Sequence, residues 1–352
     1  MFDLSHFDVS QFEISAARAA KLLRALANER RLMILCQLAD GERSVGQIQP
    51  LVGLSQSALS QHLAVLREEG IVASRREATS LWYRIADPAT GAAAIIDPVL
   101  DFEPRAGGLS TRAADALLAA IAARGLTPRY VLETHAHADH LSAAHHIRGR
   151  TGAKIVIGAR IVEVQKVFAP VFEADIAPDG SAFDVLMHDG ESLPLGELTI
   201  TALHTPGHTP ACLTYLIGDA AFVGDTIFMP DYGTARADFP GGDARTLYRS
   251  IRKLLALPPE TRIFVGHDYL PEGRSDYRWE TTVAEERASN IHVRDGVSED
   301  DFVALRSARD VTLAPPTLIL PSLQVNIRAG ALPPPTPAGH VFLKLPVTPL
   351  DA

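Results

Sequence analysis

His135-Ala136-His137-Ala138-Asp139-His140 places four potential metal ligands within six residues. The stretch follows the apolar run Tyr130-Val131-Leu132 and precedes a segment that reads as a helix from Leu141. A strand that ends in such a cluster aims imidazoles and a carboxylate into one small volume. That donor mixture suits zinc, iron or manganese, whereas thiolate-only or all-oxygen sets favour other metals. The pattern recurs down the chain: Thr205-Pro206-Gly207-His208 follows Leu198–Leu203, Gly224-Asp225 follows Ala220–Val223, and Gly266-His267-Asp268 follows Ile263–Val265. Four short strands are therefore predicted to deliver ligands from their C-terminal ends to a common rim, with glycines supplying tight turns or close backbone approach. Helix caps and buried hydrogen bonds would account for one such His or Asp site, but not for four in series.

The series resembles the metallo-β-lactamase superfamily, whose HxHxDH signature and later His, Asp and His ligands all have counterparts here, from about residue 81 to the C-terminus. The resemblance implies an αββα sandwich, two mixed sheets covered by helices with the metal site at one edge. By residue matching, one metal would use His135, His137 and His208. A second would use Asp139, His140 and His267, with Asp225 able to bridge the two. Such sites hydrolyse thioesters, lactams or phosphodiesters through a metal-bound hydroxide.

The stretches Glu133–Ala143 and His204–Pro210, with Gly224-Asp225-Thr226, Gly233–Phe239 and His267-Asp268-Tyr269, are similar to persulfide dioxygenases. Ala94–Asp101 and Glu280–Arg287 fit bacterial members. That resemblance implies one iron(II) per chain, held by His135, His208 and Asp225 as a two-histidine, one-carboxylate triad with three positions open. Zinc, which has no accessible redox change, cannot mediate between triplet oxygen and a closed-shell thiol. The implied reaction takes R-S-SH, O2 and water to R-SH and sulfite, with glutathione persulfide as the usual substrate. His137, Asp139, His140 and His267 then surround the metal, or ligate a second one. Arg236 matches an arginine near the substrate channel, where it would pair with a substrate carboxylate or instead form a surface ion pair with Asp238. Tyr269 either places its hydroxyl near the metal or packs beside the last strand. Thr209 either orients His208 or caps its turn. His145 and His146 read as helix surface residues, and His6, His188, His204, His292 and His340 belong to no constellation. Two further readings remain open: a two-metal thioesterase or hydrolase of the glyoxalase II kind, and a transcription factor whose metallo domain only senses ligand; the alternative cofactor to iron is zinc, one or two ions.

Residues from about Ser15 to Ile85 read as a winged helix-turn-helix. Leu32, Leu35 and Leu38 give helical apolar spacing over Glu29–Ala39. Ser44 caps a short helix, and Ser55 caps a further one in which Leu59, Leu63 and Leu66 face inward. The outer face of that helix carries Gln56, Ser57, Ser60, Gln61 and Arg67, and a following strand holds Arg75 and Arg76 at its tip. These side chains can reach bases and phosphates. The segment resembles the ArsR/SmtB repressors in Leu26–Leu32 and Leu54–Leu63, which implies a homodimer on double-stranded operator DNA. Over residues 15–90 ten Lys and Arg face seven Asp and Glu, on a chain whose net charge is −9. A locally basic balance on an acidic chain suits a DNA-reading head joined to an enzyme. Cys36 occupies the helix position used by sulfide-responsive members, and so is a candidate sensor or a packed apolar thiol.

The fold expected is therefore α+β in two domains: an N-terminal winged helix-turn-helix over 1–80 and a C-terminal αββα metallo-β-lactamase sandwich over 81–352. No linker separates them, and Leu81–Ala86 reads both as the second wing strand and as the first strand of a hairpin turned at Asp87–Gly91 into Ala93–Ile96. Val341–Leu345, after the Pro-rich Leu332–Pro337, reads as a last strand. Two cysteines, Cys36 and Cys212, exclude a disulfide framework. No apolar stretch approaches a membrane span and the start lacks a basic n-region, which predicts a cytoplasmic protein with no membrane partner.

Overall fold

The structure is a computed structural model that describes residues 83–271 and 273–347, together with Met33, Ile34 and Val52. The chain divides into two compact units, the larger of which comprises Thr79–Pro271 and Arg278–Ala352. In the smaller unit, Met33 and Ile34 are helical, and Ile34 and Val52 are buried. Cys36, Gln56, Ser57, Ser60, Gln61, Arg67, Arg75 and Arg76 lie outside the described residues, as do Leu81 and Trp82 of the strand expected to serve both domains. The remainder of that strand, β1 (Tyr83–Ala86), pairs antiparallel with β2 (Ala92–Ile96) in the larger unit. Asp87 closes the turn between them by accepting the backbone N–H of Ala89 and of Thr90, each at 3.1 Å.

Two sheets form the centre of the unit. β2 continues in parallel to β5 (Thr127–Leu132), β7 (Lys154–Gly158) and β8 (Val185–Met187). The second sheet orders β9 (Ser192–Leu195), β10 (Leu198–His204), β11 (Leu213–Ile217), β12 (Ala220–Phe222), β13 (Arg262–Phe264) and β14 (Glu280–Thr282); it is antiparallel except between β12 and β13. Alternation along the strands explains why the sheets stack. Ala94, Ile96, Leu132 and Val156 meet Ile200, Ala202, Leu213 and Tyr215 between the sheets. Ile95, Val131, Ile155 and Ile157 point the other way, into a core shared with α1 (Arg112–Ala122), α2 (Ala144–Thr151), α3 (Ile161–Val171) and α7 (Ile319–Asn326). On the far face, Ala221, Val223, Ile263 and Val265 pack on α4 (Ala244–Leu254) and Phe302 of α6 (Glu299–Asp310). Three separate cores between four layers make an αββα sandwich. No helix among the described residues is long and apolar enough to cross a membrane.

Two local expectations are corrected. Leu141 does not begin a helix: Leu141–Ser142 is a short strand, β6, paired with β3 (Val99–Glu103), and α2 starts at Ala144. Asn326 accepts the Ser142 N–H at 2.8 Å, which holds that backbone extended. Val341–Leu345 is not a strand. Gln324 replaces a neighbouring strand by donating to the Lys344 carbonyl (2.9 Å) and accepting its N–H (2.7 Å), and Phe342 and Leu345 remain exposed.

Candidate metal centre

Each ligand sits just beyond a strand, as the apolar runs predict. β5 leads into the His135–His140 loop, β10 into the turn carrying His208, β12 into Gly224-Asp225, and β13 into His267. Two glycines are required by shape. Gly224 has φ +50°, and a Cβ there would run into the Thr134 side chain; Gly207 has φ +137°, and a Cβ would strike the Leu247 backbone of α4. Any other residue would push Asp225 or His208 off the rim.

His135, His208 and Asp225 are buried, and each offers one ligand atom within 4.8 Å of the others. Both imidazoles are oriented from behind. The Thr134 hydroxyl donates to Asp97 Oδ2 (2.8 Å) and lies 3.0 Å from His135 Nδ1, so it accepts from that nitrogen. The Arg236 carbonyl can only accept, which places a proton on His208 Nδ1 at 2.8 Å. In both rings Nε2 is left as the lone-pair nitrogen facing the cluster. His208 Nε2 and Asp225 Oδ2 are 3.9 Å apart, and the buried Asp225 Oδ1 accepts no hydrogen bond among the described residues. Burial, followed by the neighbouring His137 and His208, holds His135 well below the ordinary imidazole range and favours its neutral form. Two imidazoles whose Nδ1 is already engaged, so that each turns Nε2 to the cluster, and a buried Asp225 oxygen without a hydrogen bond fit a divalent metal ion.

His137, Asp139 and His140 form an adjoining group. Asp139 Oδ2 lies 3.3 Å from His140 Nδ1 and 3.4 Å from His267 Nε2, and His267 Nε2 is also 3.4 Å from Asp225 Oδ1. His137 Nε2 faces away, 2.9 Å from Asp97 Oδ1 and 3.4 Å from Glu133 Oε2. Burial opposes charge on His137, but Asp97 and then Glu133 outweigh it and hold this imidazole well above its usual value.

Of the other candidates, Arg236 commits its guanidinium to Asp238 (Nη2 to Oδ2, 2.6 Å) and to the carbonyls of Ala314 and Leu313. It approaches the centre through its backbone oxygen. Tyr269 is 40% exposed, with its ring centroid 5.5 Å from that of His267. Thr209 turns toward Cys212 Sγ (3.1 Å) and the Ala211 N–H, closing its own turn, while Arg236 orients His208. Cys212 is buried, with burial pushing its thiol up to about 12. His145 contacts Arg148, His146 contacts Asp115, His204 contacts the Pro210 carbonyl, and His292 accepts the Thr234 N–H.

Sequence reasoning missed two residues. Asp97 accepts both the N–H (2.7 Å) and the hydroxyl of Thr134 while facing His137. Its signal was present, as a carboxylate ending the apolar run Ala94-Ile95-Ile96, the same pattern that marks the ligands. Asn326 donates to the carbonyls of His137 and His140, each at 2.8 Å, and clamps the ligand loop from 186 residues away along the chain in the latter contact. No local pattern announces that role.

Comparison with known proteins sharpens this picture. The model of the metallo-beta-lactamase superfamily matches residues 76–267, more than half of the 352 residues. This chain belongs to the metallo-β-lactamase superfamily. Preceding that region, the bacterial regulatory protein arsR family matches residues 28–74, so an ArsR-type helix-turn-helix is joined to a superfamily enzyme domain. A probable metallo-hydrolase of Burkholderia pseudomallei is 54% identical over 75% of this chain and 94% of its own length. Glyoxylase B2 of Dictyostelium discoideum is 48% identical over 75% and 91%. The mitochondrial persulfide dioxygenase ETHE1 of Homo sapiens is 31% identical over 72% and 85%. Among solved structures, ETHE1 from Myxococcus xanthus superposes with a TM-score of 0.58 at 33% identity, covering 72% of this chain and 95% of that one.

Proposed function

We propose that this superfamily member is an iron-dependent persulfide dioxygenase fused to a DNA-reading, sulfur-responsive head, with the division near residue 80. The observation that carries the enzymatic reading is the His135–His208–Asp225 group, in which both imidazoles present Nε2 beside one carboxylate, a two-histidine, one-carboxylate set that would hold iron(II). Similarity to the human and Myxococcus proteins supports it. Iron(II) bound there would supply the redox-active centre that allows triplet O2 and a closed-shell persulfide to react. The overall change balances as R-S-SH + O2 + H2O giving R-SH and sulfurous acid, which ionises to sulfite. The chain's own contribution is to fix the ligands before substrate arrives. Thr134 and Arg236 lock the two imidazole tautomers, while buried Phe228 and Phe239 pack against the His267 and His208 rings. Anaerobically purified protein is expected to carry about one iron per chain and to consume oxygen when given glutathione persulfide.

A second reading, a two-metal hydrolase, draws on the adjoining His137–Asp139–His140 group and on the names of the relatives at 54% and 48% identity. Two zinc ions per chain with S-lactoylglutathione hydrolysis and no oxygen uptake would establish it in place of the first. At the head, the Ser55–Glu69 segment would enter a major groove as half of a homodimer through Gln56, Ser57, Ser60, Gln61 and Arg67, with Arg75 and Arg76 on the phosphates and Cys36 as sensor. Arg75→Ala with Arg76→Ala should weaken binding to the chain's own upstream DNA across all sequences and flatten its salt dependence.

A further inference from the structure

Arg309 stands out among the cations near the centre because, among the described residues, no carboxylate pairs with it. It is half-buried near the C-terminal end of α6. Arg306, three residues earlier, is buried and tied to Asp310 at 2.7 Å, and Arg236 is tied to Asp238. Among the described residues the Arg309 guanidinium makes no ion pair and no hydrogen bond. Its recorded contact is the Tyr232 ring, with Cζ 5.5 Å from the centroid. Tyr232 in turn stacks on Tyr269, centroids 4.7 Å apart and planes inclined by 23°, and Tyr269 leans on His267 at 5.5 Å. Phe228, buried beneath, touches Tyr232, Tyr269 and His267 and fixes all three rings. A continuous aromatic floor therefore leads from the metal cluster, at His267, out to one uncompensated guanidinium.

We propose that Arg309, on its Tyr232–Tyr269 floor, binds a free carboxylate of the thiol carrier while the sulfur reaches the metal. This rests on the persulfide reading and names the residue by which this chain would tell an anionic peptide thiol from hydrogen sulfide or a neutral thiol. A guanidinium held against a ring face keeps its planar fork free at the edge, and that edge matches a carboxylate bidentately. The ring floor suits the flat peptide groups that separate sulfur from carboxylate in such a carrier. The assignment moves the carboxylate-binding role away from Arg236, whose donors are already taken by Asp238 and two carbonyls.

The test is calorimetry on the full chain, loaded anaerobically with iron(II), using glutathione and glutathione diethyl ester as probes. The ester keeps the thiol and the peptide groups but has no free carboxylate. The wild-type chain should prefer glutathione about tenfold, Arg309→Ala should lose that preference, and Arg309→Lys should retain part of it by charge alone. Tyr232→Leu, which removes the floor but not the charge, should lower glutathione affinity by a smaller factor. In turnover the Arg309→Ala change should appear in KM for glutathione persulfide more than in kcat. Equal affinity for both probes in the wild-type chain, or an undiminished preference in Arg309→Ala, overturns the subsite even where persulfide-driven oxygen uptake stands. A preference that depends on Arg309 in a chain without oxygen uptake keeps the subsite and overturns the dioxygenase.

Discussion

The two adjoining ligand groups are built differently, although both draw on the same six-residue stretch. His135, His208 and Asp225 come from the ends of three strands in two sheets, and their imidazoles are held by neutral acceptors, a hydroxyl and a carbonyl. His137, Asp139 and His140 come from one loop, and their surroundings are carboxylates: Asp97 and Glu133 against His137, and Asp139 shared between His140 and His267. A neutral acceptor behind a ring fixes the tautomer without supplying charge, which leaves Nε2 free for a metal. A carboxylate facing one nitrogen of a ring orients the other nitrogen and raises its basicity. The first group is a preorganised site that requires the whole fold, whereas the second is a single-loop cluster whose buried His137 Nδ1 and His140 Nε2 have no hydrogen-bond partner among the described residues.

The largest expected effect follows from that contrast. Asp225→Ala should remove iron and oxygen uptake together, because two imidazoles without a carboxylate hold iron(II) weakly. Asp139→Ala should leave about one iron per chain. Metal analysis of both variants checks the asymmetry, and equal metal loss in the two would mean that the groups form one two-metal site.

A smaller effect is expected one step back from the metal. Asp97→Asn keeps the shape but weakens the acceptor for Thr134, and with it the orientation of His135. Metal affinity should fall about 10- to 100-fold, as outer-layer substitutions commonly do. Chelator competition measures this directly. An unchanged affinity would show that Thr134 holds His135 without help and that Asp97 serves only His137. Asp97 also sits at φ +46°, so its backbone is shaped by the same contacts.

The contrast also explains what could be read in advance. Strand ends carrying ligands were legible because alternation and the residue following each run are both local. Asp97 ends such a run too, but its partners, Thr134 at 37 residues' separation and His137, become visible only when β2 lies beside β5. Leu141 reads as helical because α2 follows it, and only Asn326, 184 residues beyond Ser142, holds that stretch extended. Val341–Leu345 is a short apolar run like a strand, yet one glutamine side chain takes the place of a neighbouring strand. Reach across the chain, and not composition, separates the legible from the illegible.

The smallest expected effect concerns the layer that supports the His208 side of the comparison. The loop whose Arg236 carbonyl holds His208 is itself held by a buried polar network. Asn290 donates to the Gly233 carbonyl (3.2 Å) and to Glu286 Oε2 (2.7 Å), and the Thr234 N–H donates to His292 Nδ1 (3.1 Å). Burial pushes the Glu286 carboxyl up to about 8 from the ordinary 4.5, against the hydrogen bond from Asn290, which lowers it. Burial pushes His292 down to about 4 from 6.5. Between pH 4.5 and 8 the folded chain therefore keeps a proton on Glu286 that the unfolded chain releases, so this stability is full below pH 4.5 and is lost as pH rises through 8. His292 acts oppositely, and its stability is lost as pH falls from 6.5 toward 4. The two slopes offset each other up to about pH 6.5, above which Glu286 acts alone at about 1.4 kcal/mol per pH unit. Glu286→Gln keeps an oxygen for Asn290 but cannot ionise, so denaturation midpoints measured at pH 6.5 and pH 8 should draw together in the variant. A wild-type chain equally stable at both pH values would show that Glu286 ionises in place, and that the support behind His208 accommodates a charge as the carboxylate-lined side does.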